Sequence, residues 1–224
     1  MKIISDIRLF RSVIANIDGN PLPESFGSKQ LNVIIHRIVM KLREQKFSLG
    51  EYDHLYLNFT TQLNESVCLP AKRSVDTYHK WYRFYDVGIS EDMYYKLNSE
   101  SSIDYVIDEL QNVLIQIFNC ESIFQIKDCI SEAVEKGENM MILYKTKENN
   151  NLKASVFLQY LDTGLYLPHL FVYNSEGKEI LHKKLKLSNE LMEIGEIQLS
   201  SKKVAIKPRK NSFTANLSSI VFNF

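Results

Sequence analysis

Five histidines, three cysteines and a run of carboxylates are the side chains of this 224-residue sequence with the chemistry to act as bases, nucleophiles or ligands. The histidines are His36, His54, His79, His169 and His182. None forms a His-x-x-x-His or His-Glu-x-x-His pair, so a helical zinc site is not signalled. His79, beside Lys80 and Trp81, is of the type used as a general base, and Arg83 and Asp86 follow on the same stretch. That trio would suit an enzyme acting on nucleic acid, although a lone strand histidine is more often structural. Cys68 and His79 can be drawn as a thiol–imidazole pair without local support. Asp86, Glu91 and Asp92 can be drawn as paired carboxylates, yet Ser90 ahead of Glu91 and Asp92 reads as a helix cap with acids in its first turn. The sequence holds no Gly-x-Ser-x-Gly elbow, no phosphate-binding Gly-x-x-x-x-Gly-Lys loop and no Gly-x-Gly-x-x-Gly turn. With only 8 glycines, a phosphate cradle is not expected. No catalytic residue, cofactor or metal is expected.

The elements that must position these groups read as a mixed α+β chain. Residues 2–17 alternate as a first strand or two, and Asp18 to Pro23 make a turn. Leu31, Ile34, Ile35, Ile38 and Leu42 recur at helical spacing, with Ser28 as the cap and Gly50 beyond the end. Tyr52 to Leu63 reads as a half-buried strand, broken by Asn64 to Pro70. Tyr78 to Ile89 reads as the next strand, and its aromatics occupy both parities, so both of its faces should meet something. A short helix from Ser90 leads to Ser101-Ser-Ile-Asp104, a capping-box pattern. Behind it Ile103, Val106, Ile107, Leu110, Val113, Leu114 and Ile117 form one stripe. A second helix runs through Ile126, Cys129, Ile130 and Ala133 to Gly137. From Met140 the period changes to two, with strands near 140–146, 153–161, 165–173, 178–187, 192–199 and 202–207. Hairpin-linked runs imply an antiparallel meander, with a further edge strand in the tail. The expected architecture is an N-terminal α/β portion, central amphipathic helices and a C-terminal antiparallel sheet. It forms a single domain over 1–224, with a possible subdivision between 138 and 139.

Composition narrows the function classes. Hydrophobic content of 45% and charged content of 24% are globular averages. The N-terminal apolar runs are broken by charges, and no run approaches a membrane span, so a cytoplasmic protein without membrane contact is expected. An odd cysteine count without metal-type spacing suits a reducing compartment, with Cys120 and Cys129 on apolar helix faces. The formal net charge is zero, which argues against direct nucleic-acid binding through bulk charge. The zero hides segregation: residues 1–85 carry +4, residues 86–140 carry −9, residues 141–174 carry +1 and residues 175–224 carry +4. Lys202, Lys203, Lys207, Arg209 and Lys210 form a basic patch of the kind that guards strand edges. Tyr166, Phe171 and Tyr173, read as part of the same sheet, would be the stacking platforms if that patch bound single strands.

The acidic segment points toward a partner. At 100° per residue Asp104 and Asp108 lie 40° apart, opposite the apolar stripe, with Glu109 and Asn112 flanking them. Ile115 falls on the same outward face, where an apolar residue marks either packing or a contact. Lys80-Trp-Tyr-Arg-Phe-Tyr-Asp-Val-Gly-Ile89, followed by an acid-started short helix and a long Leu/Ile helix, resembles bacterial immunity proteins of polymorphic toxin and contact-dependent inhibition systems. The resemblance spans residues 78–118. It implies a protein that binds one cognate toxin domain, often a nuclease, and occludes it without doing chemistry. A basic, nuclease-like toxin would meet Asp86, Glu91, Asp92, Asp104, Asp108 and Glu109 as charged contacts, with Tyr94, Tyr95 and Ile115 as anchors. An unrecognised enzyme and a structural protein assembling through the C-terminal sheet are the alternatives.

Overall fold

The computed structural model describes residues 1–75, 78, 80–118 and 123–224. His79 and Cys120, considered above, lie outside the described residues. The chain forms two compact units, Met1–Gly137 and Glu138–Phe224. The architecture is α+β, with antiparallel strands throughout the second unit.

The first unit opens with β1 (Lys2–Ile3), β2 (Asp6–Ser12) and β3 (Glu24–Ser25), followed by α1 (Lys29–Glu44) and β4 (Ser48–Gly50). Next come β5 (His54–Thr60), β6 (Cys68–Pro70) and β7 (Tyr82–Gly88). Three helices close it: α2 (Glu91–Lys96), α3 (Ile103–Phe118) and α4 (Ile123–Lys136). The main sheet has the order β3-β2-β5-β7-β6. Its three central strands are parallel, and the short outer strands are antiparallel to them. β1 and β4 form a separate antiparallel pair. The stretch expected only to break the chain, Asn64 to Pro70, therefore ends in a short edge strand.

Parallel pairing places residues of equal parity on one face. Leu55, Leu57, Phe59 and Val87 are fully buried on one side, the side that meets helices. There Arg11 lies over the Tyr94 ring of α2, and Tyr85 and Arg83 reach Tyr52, whose ring meets Phe118 of α3. The other side of the same strands carries Arg8, Phe10, His54, Tyr56, Asn58, Tyr82, Phe84 and Asp86. Tyr56 is packed there among Phe10, Tyr82 and Phe84 at ring separations of 4.8–5.3 Å. β7 thus carries aromatics on both faces, Tyr85 toward the helices and the half-exposed Tyr82 and Phe84 away from them.

Helix α1 starts at Ser28, whose hydroxyl accepts from the Leu31 amide at 3.1 Å. Its C-terminus differs from expectation. Gly50 is part of β4, and the chain leaves the helix at Lys46, in the left-handed region at φ 56°. The Phe47 amide donates to the Leu42 carbonyl and the Lys46 amide to that of Arg43, the double bond of a Schellman turn. The burial of Phe47 and Leu42 accounts for its location: the apolar pair that closes the turn is here, and glycine is not. Lys41 ties α1 to α4 by pairing with Glu44 at 2.6 Å and Glu132 at 2.9 Å. Helix α3 also begins differently. A 3-10 turn, Glu100–Ser102, feeds into it, and the Ser101 hydroxyl pairs with Ser99 Oγ and caps nothing. The buried Ser102 hydroxyl instead donates toward the carbonyls of Leu97 and Ser99, tying that turn to the end of α2.

The second unit holds β8 (Ile142–Glu148), β9 (Leu152–Tyr160), β10 (Tyr166–Asn174), β11 (Glu179–Lys184), β12 (Glu196–Leu199), β13 (Lys203–Lys207) and β14 (Ile220–Asn223). They do not make one meander. β8 to β11 form a four-stranded antiparallel sheet, and β12, β13 and β14 a three-stranded one, with the tail strand at its edge. Ala154, Val156, Leu158, Leu170 and Val172 are buried on one face of the larger sheet. The aromatics Tyr166, Phe171 and Tyr173 belong to that sheet, whereas Lys203 and Lys207 belong to the smaller one. The expectation that they share a sheet is corrected.

Candidate functional site

The acidic face is built on α2 and α3. Ser90 caps α2 as its sequence implies, accepting from the Met93 amide, and this leaves Glu91 and Asp92 in the exposed first turn. Asp92 pairs with Lys96 at 2.5 Å. Tyr94 is half-buried beneath Arg11, and Tyr95 stands edge-on to it with 70% of its surface exposed. On α3 Asp104 and Asp108 are exposed and Ile115 is half-buried.

Two members of the expected contact set lie elsewhere. Glu109 is 7% exposed. On the helical wheel it sits only 40° from Val113, at the edge of the apolar stripe, and the fold takes it inward. Loop 63–67 makes that environment. It folds over Gly88, where a Cβ would meet the Asn64 carbonyl oxygen at 1.8 Å, and it delivers the Ser66 hydroxyl to Glu109 Oε1 at 3.4 Å. Burial raises the Glu109 pKa, and its bonds to Ser66 and Asn112 oppose that shift. Tyr105 beside it is pushed up to about 12 by burial and by Glu109 and Glu65.

Asp86 is half-buried on β7, on the sheet face away from the helices. It accepts from Asn58 Nδ2 at 2.7 Å and from Asn16 Nδ2 at 3.3 Å. Asn58 lies opposite it in the parallel register, is fully buried, and also donates to Ser12 Oγ at 3.1 Å. Arg73 completes the cluster, donating to Asn16 Oδ1 and to the carbonyls of Asn20 and Pro21. Burial raises the Asp86 pKa against the pull of the two amides and Arg73. This polar cluster at the carboxyl ends of the central strands was not singled out from the sequence, because its members are spread from Ser12 to Asp86. One signal was available: a polar Asn58 inside the apolar run of β5.

Of the trio drawn for an enzyme, His79 lies outside the described residues, and the other two, Arg83 and Asp86, point to opposite faces of β7. Arg83 Nη1 donates to the carbonyls of Lys80 and Tyr82. Cys68 is pushed up to about 12 by burial and by Asp86 and Glu109, which keeps it a thiol at neutral pH and a poor nucleophile. Cys129 is buried on α4, and burial raises it to about 11, as befits a small hydrophobe. Among the described residues no group of three or more His, Cys, Asp or Glu converges as a metal site. No helix among them is long and apolar enough to cross a membrane.

No protein-family model matches the chain, and comparison with curated proteins and with solved structures likewise finds no match.

Proposed function

We propose that the protein is a bacterial immunity protein, neutralising a cognate toxin domain by stoichiometric binding through the acidic outer face of α2 and α3. The observation that carries this reading is the exposure of Glu91, Asp92, Asp104 and Asp108 on consecutive helices, with Tyr95 70% exposed among them. A face of this kind suits a basic partner, because opposed potentials speed encounter and fix orientation. Nuclease domains present basic surfaces to phosphates and are partners of that kind. An exposed tyrosine offers large contact area at small entropic cost. In this reading Tyr94 and Ile115 border the contact. Asp86 and Glu109 hold the loops behind it, and the protein acts in the cytoplasm without a cofactor.

The test is a pull-down of the tagged protein with the product of the adjacent upstream gene, at low and high salt. A one-to-one complex that weakens with salt is expected, since exposed charge pairs are screened. A tight complex indifferent to salt would move the contacts to Tyr94, Tyr95 and Ile115. Absence of any complex would overturn the reading.

A further inference from the structure

The outer face of the four-stranded sheet brings two histidines together that are 13 residues apart in sequence. In the β10–β11 ladder Phe171 lies opposite His182 and His169 opposite Lys184, so His182 is the diagonal neighbour of His169. His169 Nδ1 and His182 Nε2 are 3.1 Å apart. The other nitrogen of His169, Nε2, lies 2.8 Å from Gln159 Oε1. Gln159 cannot turn its amide around without loss, because its Nε2 donates to the Glu138 carbonyl at 3.1 Å.

That chain of bonds fixes a tautomer. With Gln159 Oε1 as acceptor, His169 carries its proton on Nε2, and Nδ1 is left unprotonated, 3.1 Å from His182 Nε2. The His182 ring is held by stacking on Phe171, with centroids 4.1 Å apart and planes 10° from parallel. His169 is buried and His182 is exposed, so the pair has one fixed and one accessible member. A metal-bound histidine is normally oriented in this way, by donating its distal N–H to a fixed acceptor.

We propose that His169 and His182 form a two-histidine site for a borderline divalent transition-metal ion of the zinc type. The separation suits it. Two imidazole nitrogens at about 2.0–2.1 Å from one ion are about 3.3 Å apart at a tetrahedral angle and about 2.9 Å apart at a right angle. The observed 3.1 Å lies between the two. The ion replaces the proton that His182 Nε2 shares with His169, and His182 then holds its proton on Nδ1. No third His, Cys, Asp or Glu joins them among the described residues, so the remaining positions are open to water or to a donor from another molecule. Lys184, opposite His169, opposes the charge of the ion and limits affinity.

The experiment is a calorimetric titration of the full-length, metal-free protein with Zn2+, with the thermal midpoint measured at matched metal concentrations. One site per chain and a Zn2+-dependent rise in Tm are expected, since a ligand bound only by the native state stabilises it. His182→Ala changes an exposed residue, so it leaves the fold intact by circular dichroism and should abolish both signals. His54→Ala, in the other unit, should change neither. Gln159→Ala should weaken binding about tenfold by releasing the His169 tautomer. No heat and no Tm shift at millimolar Zn2+, or binding unchanged in His182→Ala, would overturn the assignment.

Discussion

Asp86 and Gly88 show how much one residue can decide at the end of β7. The Asp86 pKa is raised chiefly by burial, so between the ordinary carboxylate pKa and the raised one the folded state binds more protons than the unfolded state. Its ionisation therefore costs stability as pH rises through that window, and protonation restores it as pH falls. Asp86→Asn keeps an oxygen acceptor for Asn58 and Asn16 while removing the charge. The variant should be at least as stable as the parent at pH 7, and its denaturant midpoint should vary less than the parent's between pH 4 and 7. Asp86→Ala removes the acceptor of the buried Asn16 amide and one of the two acceptors of Asn58, and should cost about 1–3 kcal/mol at any pH. Gly88→Ala is harsher, because the atom that its Cβ would strike is a backbone oxygen. It should cost about 3 kcal/mol or more in chemical denaturation, at the upper end of overpacking.

At the scale of elements, helix ends separate what sequence pattern reveals from what it does not. Ser28→Ala should cost about 1 kcal/mol, the usual loss of a serine cap. Ser101→Ala, in the better-looking capping box, should change stability by less than about 0.5 kcal/mol, because its hydroxyl pairs with another exposed serine. Lys46→Gly should stabilise by about 1 kcal/mol, since the left-handed conformation at the Schellman turn penalises any Cβ. Urea midpoints for the three variants check these statements together. The apolar stripes of α1, α3 and α4 and the alternation of β8 to β11 were legible because each is local, set by a period of 3.6 or 2. Parallel pairing of β2, β5 and β7 was not, since no local pattern distinguishes a strand's partners. A helical wheel sets Glu109 beside the outward acids because it shows angle and not what a distant loop will place there. The His169–His182 pair follows from the hairpin register around Ser175-Glu-Gly177, once the turn is counted through to Phe171 and His182.

Charge is distributed over the whole molecule in a way that gives the binding proposal its sharpest consequence. The unit Met1–Gly137 carries 15 basic and 19 acidic side chains, net −4, and Glu138–Phe224 carries 12 and 8, net +4. The molecule is neutral, so bulk attraction toward a basic toxin cancels at long range, and any steering must come from a local surface within about one Debye length, ~10 Å at 0.1 M salt. The acids of α3 supply such a surface. Asp104→Lys with Asp108→Lys brings the first unit to net zero without touching a buried group. Association with the toxin should then weaken about tenfold, ~1.4 kcal/mol, with most of the loss in the association rate and little in dissociation. Lys202→Glu with Lys203→Glu makes an equal but opposite change of net charge in the second unit and should leave the rate within about twofold, because rim charges act locally. Stopped-flow or surface-binding kinetics at 50 and 300 mM salt distinguish the cases. Effects of equal size and opposite sign, slower association for the first pair and faster for the second, would mean that net charge, and not the α2–α3 face, governs encounter. No effect from either would assign the contact to apolar and aromatic surface, where Tyr95 is the residue to truncate next.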